Sequence, residues 1–389
     1  MGVVLLVIGL ILFIGLVVVH EFGHFIVARR NGVEVEEFGL FFPPRLWKKR
    51  MKGGYDFTIN LLPLGGFVKL KGEHDADKEK GSFGAATTKT KVKIMLAGVG
   101  MNLLAALVLF TILGWVGMPK LINNQFAVKN DTKIVKNDVL IGYIEPDSPA
   151  AKAGLLARDK IISVGAPGTK GTVVKSADQL PGITRQFAGK PAQLKYIRNG
   201  KQHIVTVTLR TAKVVQASQK TDNPKGYMGV EPTEYSIQRS TWSAPVVAVG
   251  LSAQLTGLTF QGLGHALAGL GGIIAGTFTG NHTARENAQT TASSQVSGPV
   301  GIFVILKDGS LLGYQFMLMI IAIISLTLAI MNVLPIPALD GGRLFILLLS
   351  RVLRRQISQK MEEAIYGVGF LVLISLIIAI TIVDVRRFF

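Results

Sequence analysis

Four stretches of this 389-residue chain carry no charged side chain over a length close to a bilayer crossing: 3–19, 94–118, 310–339 and 367–383. A helix needs roughly 20 residues to span the hydrocarbon core. In lipid every backbone N–H and C=O must find its partner inside the protein, so such stretches fold as helices. The pattern predicts a polytopic α-helical membrane protein with about four transmembrane helices. Composition agrees, with 49% hydrophobic and only 17% charged residues. The first stretch reads as a span rather than a cleaved leader. No Lys or Arg precedes it, and no small-residue cleavage site ends it.

Charge sets the expected sense of insertion. Arg29 and Arg30 follow the first stretch, and Arg45, Lys48, Lys49, Arg50 and Lys52 lie in the loop beyond. Arg343, Arg351, Arg354 and Arg355 follow the third stretch. The positive-inside tendency places both loops in the cytoplasm and the N-terminus outside. The basic segment 120–239 then lies outside, as long folded domains translocate largely regardless of charge. The net charge of +18 comes with no groove-reading motif, so nucleic acid is not an expected partner. The chain has no cysteine, which excludes disulfides and Cys-ligated metal sites.

The chain divides as follows. Residues 1–28 form the first span and 93–118 the second, with 34–92 as extended chain and loop between them. Tyr55 to Leu61 alternates as a strand does and leads to Pro63 and the Gly65-Gly66 turn. Residues 72–91 read as a mobile loop. Residues 128–212 are strand-rich, with Asn199-Gly200 as a hairpin signal. Residues 213–309 read as a linker and an interfacial helix region. The third span takes 310–342 and the fourth 364–384.

His20-Glu21-Phe22-Gly23-His24 is H-E-x-x-H inside a helical pattern. Positions i and i+4 share one helix face, with Cβ atoms roughly 5–6 Å apart. Two imidazoles there can converge on a tetrahedral zinc. Glu21 can hold a metal-bound water and take its proton. Gly23 is expected to leave space for a substrate backbone. Three ionisable groups in a membrane helix are costly and favour a functional reading. The third ligand is open between the other histidines (His74, His203, His265, His282) and Asp340. Asp340 is the better candidate. It closes an apolar stretch, is followed by Gly341-Gly342, and is a normal zinc ligand. Its bland alternative is a helix-end Asp facing water.

Depth supports the pairing. Val3 to His20 is about 26 Å of helix, which puts His20 near the cytoplasmic side of a roughly 30 Å core. If the first and third spans run in the same sense, Asp340 meets the histidines at that depth. Residues 241–284 must then cross zero or two times. Zero crossings, with a helix lying at the interface, is the expectation.

HEFGH at 20–24, LPLGGFVKL at 62–70, AGVGMN at 97–102, SGPVGI at 297–302 and NVLPIPALDGG at 332–342 together resemble the site-2 protease family of intramembrane zinc metalloproteases. The likeness is to its bacterial PDZ-containing, regulator-of-sigma-E branch. The resemblance implies Zn2+ bound by His20, His24 and Asp340, with Glu21 as general base. It implies substrate or transition-state roles for Asn332, Asn102, Gly98, Gly65 and Gly66. It makes 55–69 a membrane re-entrant β-hairpin able to pair with an unwound substrate, and 128–212 an inserted PDZ-like (α+β) domain. The expected location is the bacterial inner (plasma) membrane, with the PDZ-like domain extracytoplasmic and the active site near the cytoplasmic side.

The function implied is an endopeptidase cutting membrane-anchored regulators. Its partners would be the lipid bilayer and single-pass substrates such as anti-sigma factors or signal peptides. Clearance of signal-peptide remnants or maturation of peptide pheromones would use the same chemistry. A non-catalytic PDZ scaffold has no use for a general base beside a metal site. A transporter would show internal repeats that this chain lacks.

Overall fold

The computed structural model describes residues 2–74, 77–221, 223–279, 298–354 and 358–388. In chain order the first elements are α1 (Gly2–Arg30), β1 (Val35–Arg50), β2 (Asp56–Leu70), α2 (Thr88–Met95) and α3 (Ala97–Val116). Next come β3 (Met118–Pro119), β4 (Lys133–Ile144), α4 (Pro149–Lys152), β5 (Lys160–Gly165), β6 (Thr172–Val173) and α5 (Gln179–Arg185). β7 (Pro191–Arg198), β8 (Lys201–Thr208), α6 (Ala212–Ser218) and β9 (Val230–Arg239) follow. The last helices are α7 (Ala244–Thr279), α8 (Pro299–Ser310), α9 (Tyr314–Val333), α10 (Asp340–Val352) and α11 (Gln359–Phe388). The chain forms two units. One is Met1–Val116, Gln125–Val128 and Thr241–Phe389, and the other is Gly117–Asn124 with Lys129–Ser240.

The first unit is helical. Among the described residues, five helical stretches are long and apolar enough to cross a membrane: Gly2–Arg30, Thr88–Val116, Ala244–Gly269, Tyr314–Val333 and Gln359–Arg387. The expectation of four is corrected by α7, in the region read as interfacial. Its sequence is the least apolar of the five, because small residues pack it. Ala244 lies against Gly114 of α3, and Ala248 and Ser252 are buried. Small residues are the usual means of close approach between membrane helices.

The sense of each helix follows from its neighbours. Gly2 lies beside Ser310 and Leu311, and Gly9 beside Met317, so α1 and α9 start at one end and run together. α3 runs back, from Gly98 beside His20 and His24 to Gly114 beside Ala244. α7 therefore starts at the end where α1 begins, and α8 ends there, at Ser310 beside Gly2. With 12 residues α8 is not among the membrane-long helices, and α9 runs parallel to α1.

The long strands β1 and β2 each fold back on themselves. Phe38 pairs with both Phe57 and Val68, and Leu40 with both Ile59 and Gly66. Arg45 to Arg50 pairs with Asn60 to Asp56 on the far side. Four segments result, in the order 45–50, 56–60, 35–40, 66–70. The expected 55–69 hairpin is thus corrected: 56–60 and 66–70 do not pair with each other, because 35–40 lies between them. Among the described residues, segment 66–70 is an outer edge. The loop beyond it, expected to be mobile, is tied down where described. Phe83 N–H donates to Lys71 O, Glu34 N–H to Gly81 O, and the buried Lys91 ammonium to Gly84 O.

The second unit is an antiparallel sheet in the order β3-β9-β4-β5-β7-β8, with β6 on β5. Its core includes Ile141, Ile161, Val164 and Leu194, covered by Leu180 and Ile183 of α5. Asn199 and Gly200 both take positive φ, 51° and 77°, the two-residue turn that suits the twist of β7 and β8. The expected domain end at 212 is corrected to Ser240. β9 pairs with β4 from Val230↔Ile144 to Arg239↔Lys133. Its charges and Pro232 disguise it as a linker.

Candidate functional site

α1 carries His20, Glu21 and His24 on successive positions of one helix face. α10 brings Asp340 to them. The chain leaves α9 in an extended residue, Leu334, turns through Pro335 and Pro337, and takes positive φ at Ala338 (76°). A Cβ on Gly341 would collide with the Val333 and Leu334 carbonyls, and one on Gly342 with the Ile336 carbonyl. The two glycines let α10 tuck under the end of α9. Asp340 thus opens a separate helix and does not close the third span as expected.

His20 Nε2 and His24 Nε2 are 3.3 Å apart, and each lies 3.1 Å from Asp340 Oδ2. Two donors at roughly 2.0–2.2 Å from one tetrahedral zinc stand about 3.3 Å apart, so this triangle has the size of a tetrahedral face. The histidines are oriented from behind. His24 Nδ1–H donates to Ile94 O at 2.7 Å, which leaves the Nε2 lone pair toward the other donors. Asn102 Nδ2 is 3.3 Å from His20 Nδ1, and its Oδ1 is buried without a hydrogen-bond partner. Amide N and O are alike in shape. With Oδ1 toward the ring, Asn102 accepts the Nδ1–H and frees His20 Nε2 for a metal, as at most histidine metal sites. A Cβ on Gly98 would enter the space at His24 Nε2 and the His20 ring. The donor set, its supports and the cradle at Gly98 all fit zinc.

The other expected residues fall as follows. Gly23 does not make room for substrate, since a Cβ there would meet Ala97 O and Met101 of α3. Gly98 and Asn102 touch the histidines and do not line the cavity. Asn332 donates to Leu328 O and is likewise outside the lining. Gly66 lies over Glu21, where a Cβ would stand 3.3 Å from Glu21 Cγ. Gly65 packs toward Phe42 and Val17. His74 instead lies near Glu362 and Glu363, and His203 stacks on Tyr196. His282 is outside the described residues.

A cavity of about 400 Å³ opens beside these groups, lined by Glu21, His24, Asp340, Gly66, Val68 and Arg343 among others. The outer edge of 66–70 forms one wall. The Val68 N–H is directed at the Glu21 carboxylate, and the Leu70 N–H donates to Glu73 Oε1 at 2.9 Å. Lys69, also in the lining, donates to Glu36 at 2.8 Å, which raises its pKa and keeps it charged. Arg343 reaches Glu73 at 3.3 Å. Neither Arg343 nor Glu73 stands out in the sequence. An Arg three residues after Asp340 was the available signal.

A half-buried Glu flanked by two histidines and a carboxylate, in a bundle of membrane-long helices, is the site of a metallopeptidase. Residues 8–376 match the model of peptidase family M50, and the chain belongs to that site-2 protease family. It is a membrane zinc metalloprotease. The zinc metalloprotease RasP of Geobacillus kaustophilus is 27% identical to it over 461 residues, covering 98% of this chain and 97% of RasP. A Clostridium perfringens protein with a provisional zinc-metalloprotease name is 28% identical over 380 residues, 98% of each chain. The Enterococcus faecalis protein Eep, provisionally named a protease, is 25% identical, covering 96% of this chain and 97% of Eep.

Proposed function

We propose that the enzyme is an intramembrane endopeptidase that cuts peptide bonds within or beside the transmembrane segments of membrane-anchored regulators, such as anti-sigma factors. The observation that carries the reading is segment 66–70, an outer strand edge among the described residues, whose Val68 N–H faces Glu21 among membrane-long helices. A helical substrate hides its peptide bonds in its own ladder. Added to this edge as a strand, it exchanges those bonds for bonds to the enzyme backbone.

In this reading His20, His24 and Asp340 hold zinc, which supplies Lewis acidity and lowers the pKa of a bound water to about 7. Glu21 holds the attacking water and takes its proton. The same carboxyl then delivers that proton to the departing amine nitrogen. Ile94 O and Asn102 hold the two imidazoles in the ligating tautomer. Segment 66–70 fixes the substrate backbone across Glu21.

The active site lies on the cytoplasmic side and the sheet unit outside the bacterial plasma membrane. The sheet unit is PDZ-like: its strand order, with α5 over the core, supports that reading. The test is to reconstitute the enzyme in liposomes with a single-span substrate and map the cut by mass spectrometry. A cut within or at the end of the apolar segment is expected. Cleavage confined to soluble, unstructured parts of the substrate contradicts the proposal.

A further inference from the structure

A second cavity, of about 270 Å³, abuts the first across the Gly65-Gly66 turn. Its lining is apolar: Leu10, Phe13 and Val17 of α1, Gly65, and Ile302 and Phe303 of α8 are among its walls. The two cavities share one face of α1, along which Leu10, Phe13, Val17, Glu21 and His24 recur at helical spacing. A Cβ on Gly66 would stand 3.3 Å from Glu21 Cγ and 4.0 Å from Val17 Cγ1, so the seam between the cavities lies at the catalytic carboxylate.

The far wall is anchored. Asp384 of α11 is 1% exposed, and its Oδ2 accepts from both Gly298 N–H and Gly301 N–H at 2.8 Å. A carboxylate inside a membrane helix is costly unless satisfied. Here it is met by the free N–H groups and positive end of α8. A Cβ on Gly298 would press on Asp384 and Ile380. The described part of the SGPVGI motif thus fixes α8 against α11 and sets the width of the apolar cavity.

We propose that this cavity is the substrate subsite on the bilayer side of the scissile bond, and that it takes large aliphatic or aromatic side chains. The inference rests on the endopeptidase reading above. Its support is continuity with the Glu21 cavity and the change in character across the seam. Beyond Gly66 the lining gains Lys69, Glu73 and Arg343, while on the near side it is apolar throughout. Val17 is about 6 Å and Leu10 about 16 Å from Glu21 along the helix axis. An extended peptide advances about 3.3 Å per residue. The subsite therefore receives about the second to fifth residues from the cut.

The chain has no cysteine, so disulfide mapping is direct. Phe303→Cys and Lys69→Cys are each made in a Glu21→Gln background. They are reconstituted in phosphatidylcholine liposomes with a single-span substrate carrying one cysteine at successive positions. Wild-type enzyme on the same substrate gives the cut. Phe303→Cys should cross-link two to five residues to the bilayer side of the cut, and Lys69→Cys on the other side. Cross-linking through Lys69→Cys alone overturns the subsite and leaves the endopeptidase reading standing. So does cross-linking through Phe303→Cys that is uniform along the apolar segment, the mark of a lipid-filled gap. Failure of wild type to cut any single-span substrate overturns the endopeptidase reading itself. As a second measure, Ile302→Trp should lower cleavage of a Leu-bearing substrate at least 10-fold more than that of its Ala counterpart, with zinc content unchanged. An equal fall for both contradicts the subsite.

Discussion

At the scale of single residues, the centre depends on groups that never face substrate. A Cβ on Gly98 would collide with His24 Nε2 and fall 2.7 Å from His20 Nε2, so Gly98→Ala should lose most bound zinc while the helical far-ultraviolet signal is kept. Full zinc content in that variant contradicts the packing described. Asn102→Ala should weaken zinc binding about 10–100-fold, the usual cost of losing an outer hydrogen bond to a ligand. Asn102→Asp, which keeps an acceptor for His20 Nδ1–H, should recover much of it. A chelator competition series measures both, and equal affinities for Ala and Asp would remove Asn102 from this role. The sequence exposes His20, Glu21 and His24 because four-residue spacing on a helix is a local fact. Asp340 is suggested by the cost of a carboxylate at membrane depth. The supports are hidden, since Ile94 and Asn102 meet the histidines only after α2 and α3 pack on α1.

At the scale of elements, the decisive piece is α10, whose first residue is Asp340. Its position depends on backbone contact that glycine alone permits at 341 and 342. Gly342→Ala should therefore withdraw Asp340 from the triangle and lower zinc occupancy in metal analysis, although both histidines remain. Unchanged occupancy would mean that α10 can shift without moving Asp340. The apolar helices were legible in the sequence because lipid imposes one simple pattern on them. The edge sheet was less so. Segment 35–40 is inserted between 56–60 and 66–70, a long-range pairing with no local turn to announce it. α7 was masked by Gly, Ser and Thr, residues that read as polar yet serve close packing at Gly114 and Ala244.

At the scale of the whole molecule, α1 and α9 run in one sense, and the proposed topology puts the sheet unit outside and the basic loops inside. A single cysteine at Gly200 should react with an impermeant thiol reagent added to intact cells, and one at Lys49 should not. The reverse labelling would invert the topology. Glu21→Gln keeps the size and shape of the side chain and leaves His20, His24 and Asp340 untouched, so zinc content and fold should survive. General-base catalysis contributes about 10²–10⁴-fold, so cleavage should fall at least that far. The direct measurement is the initial rate of cutting of a single-span substrate in liposomes, by wild type and by Glu21→Gln, each with and without a zinc chelator. Glu21→Gln should be zinc-loaded but inactive, and the chelator should abolish wild-type activity. Near-normal cleavage by Glu21→Gln, or wild-type cleavage that persists in the chelator, would rule out Glu21 as the base of a zinc-dependent hydrolysis.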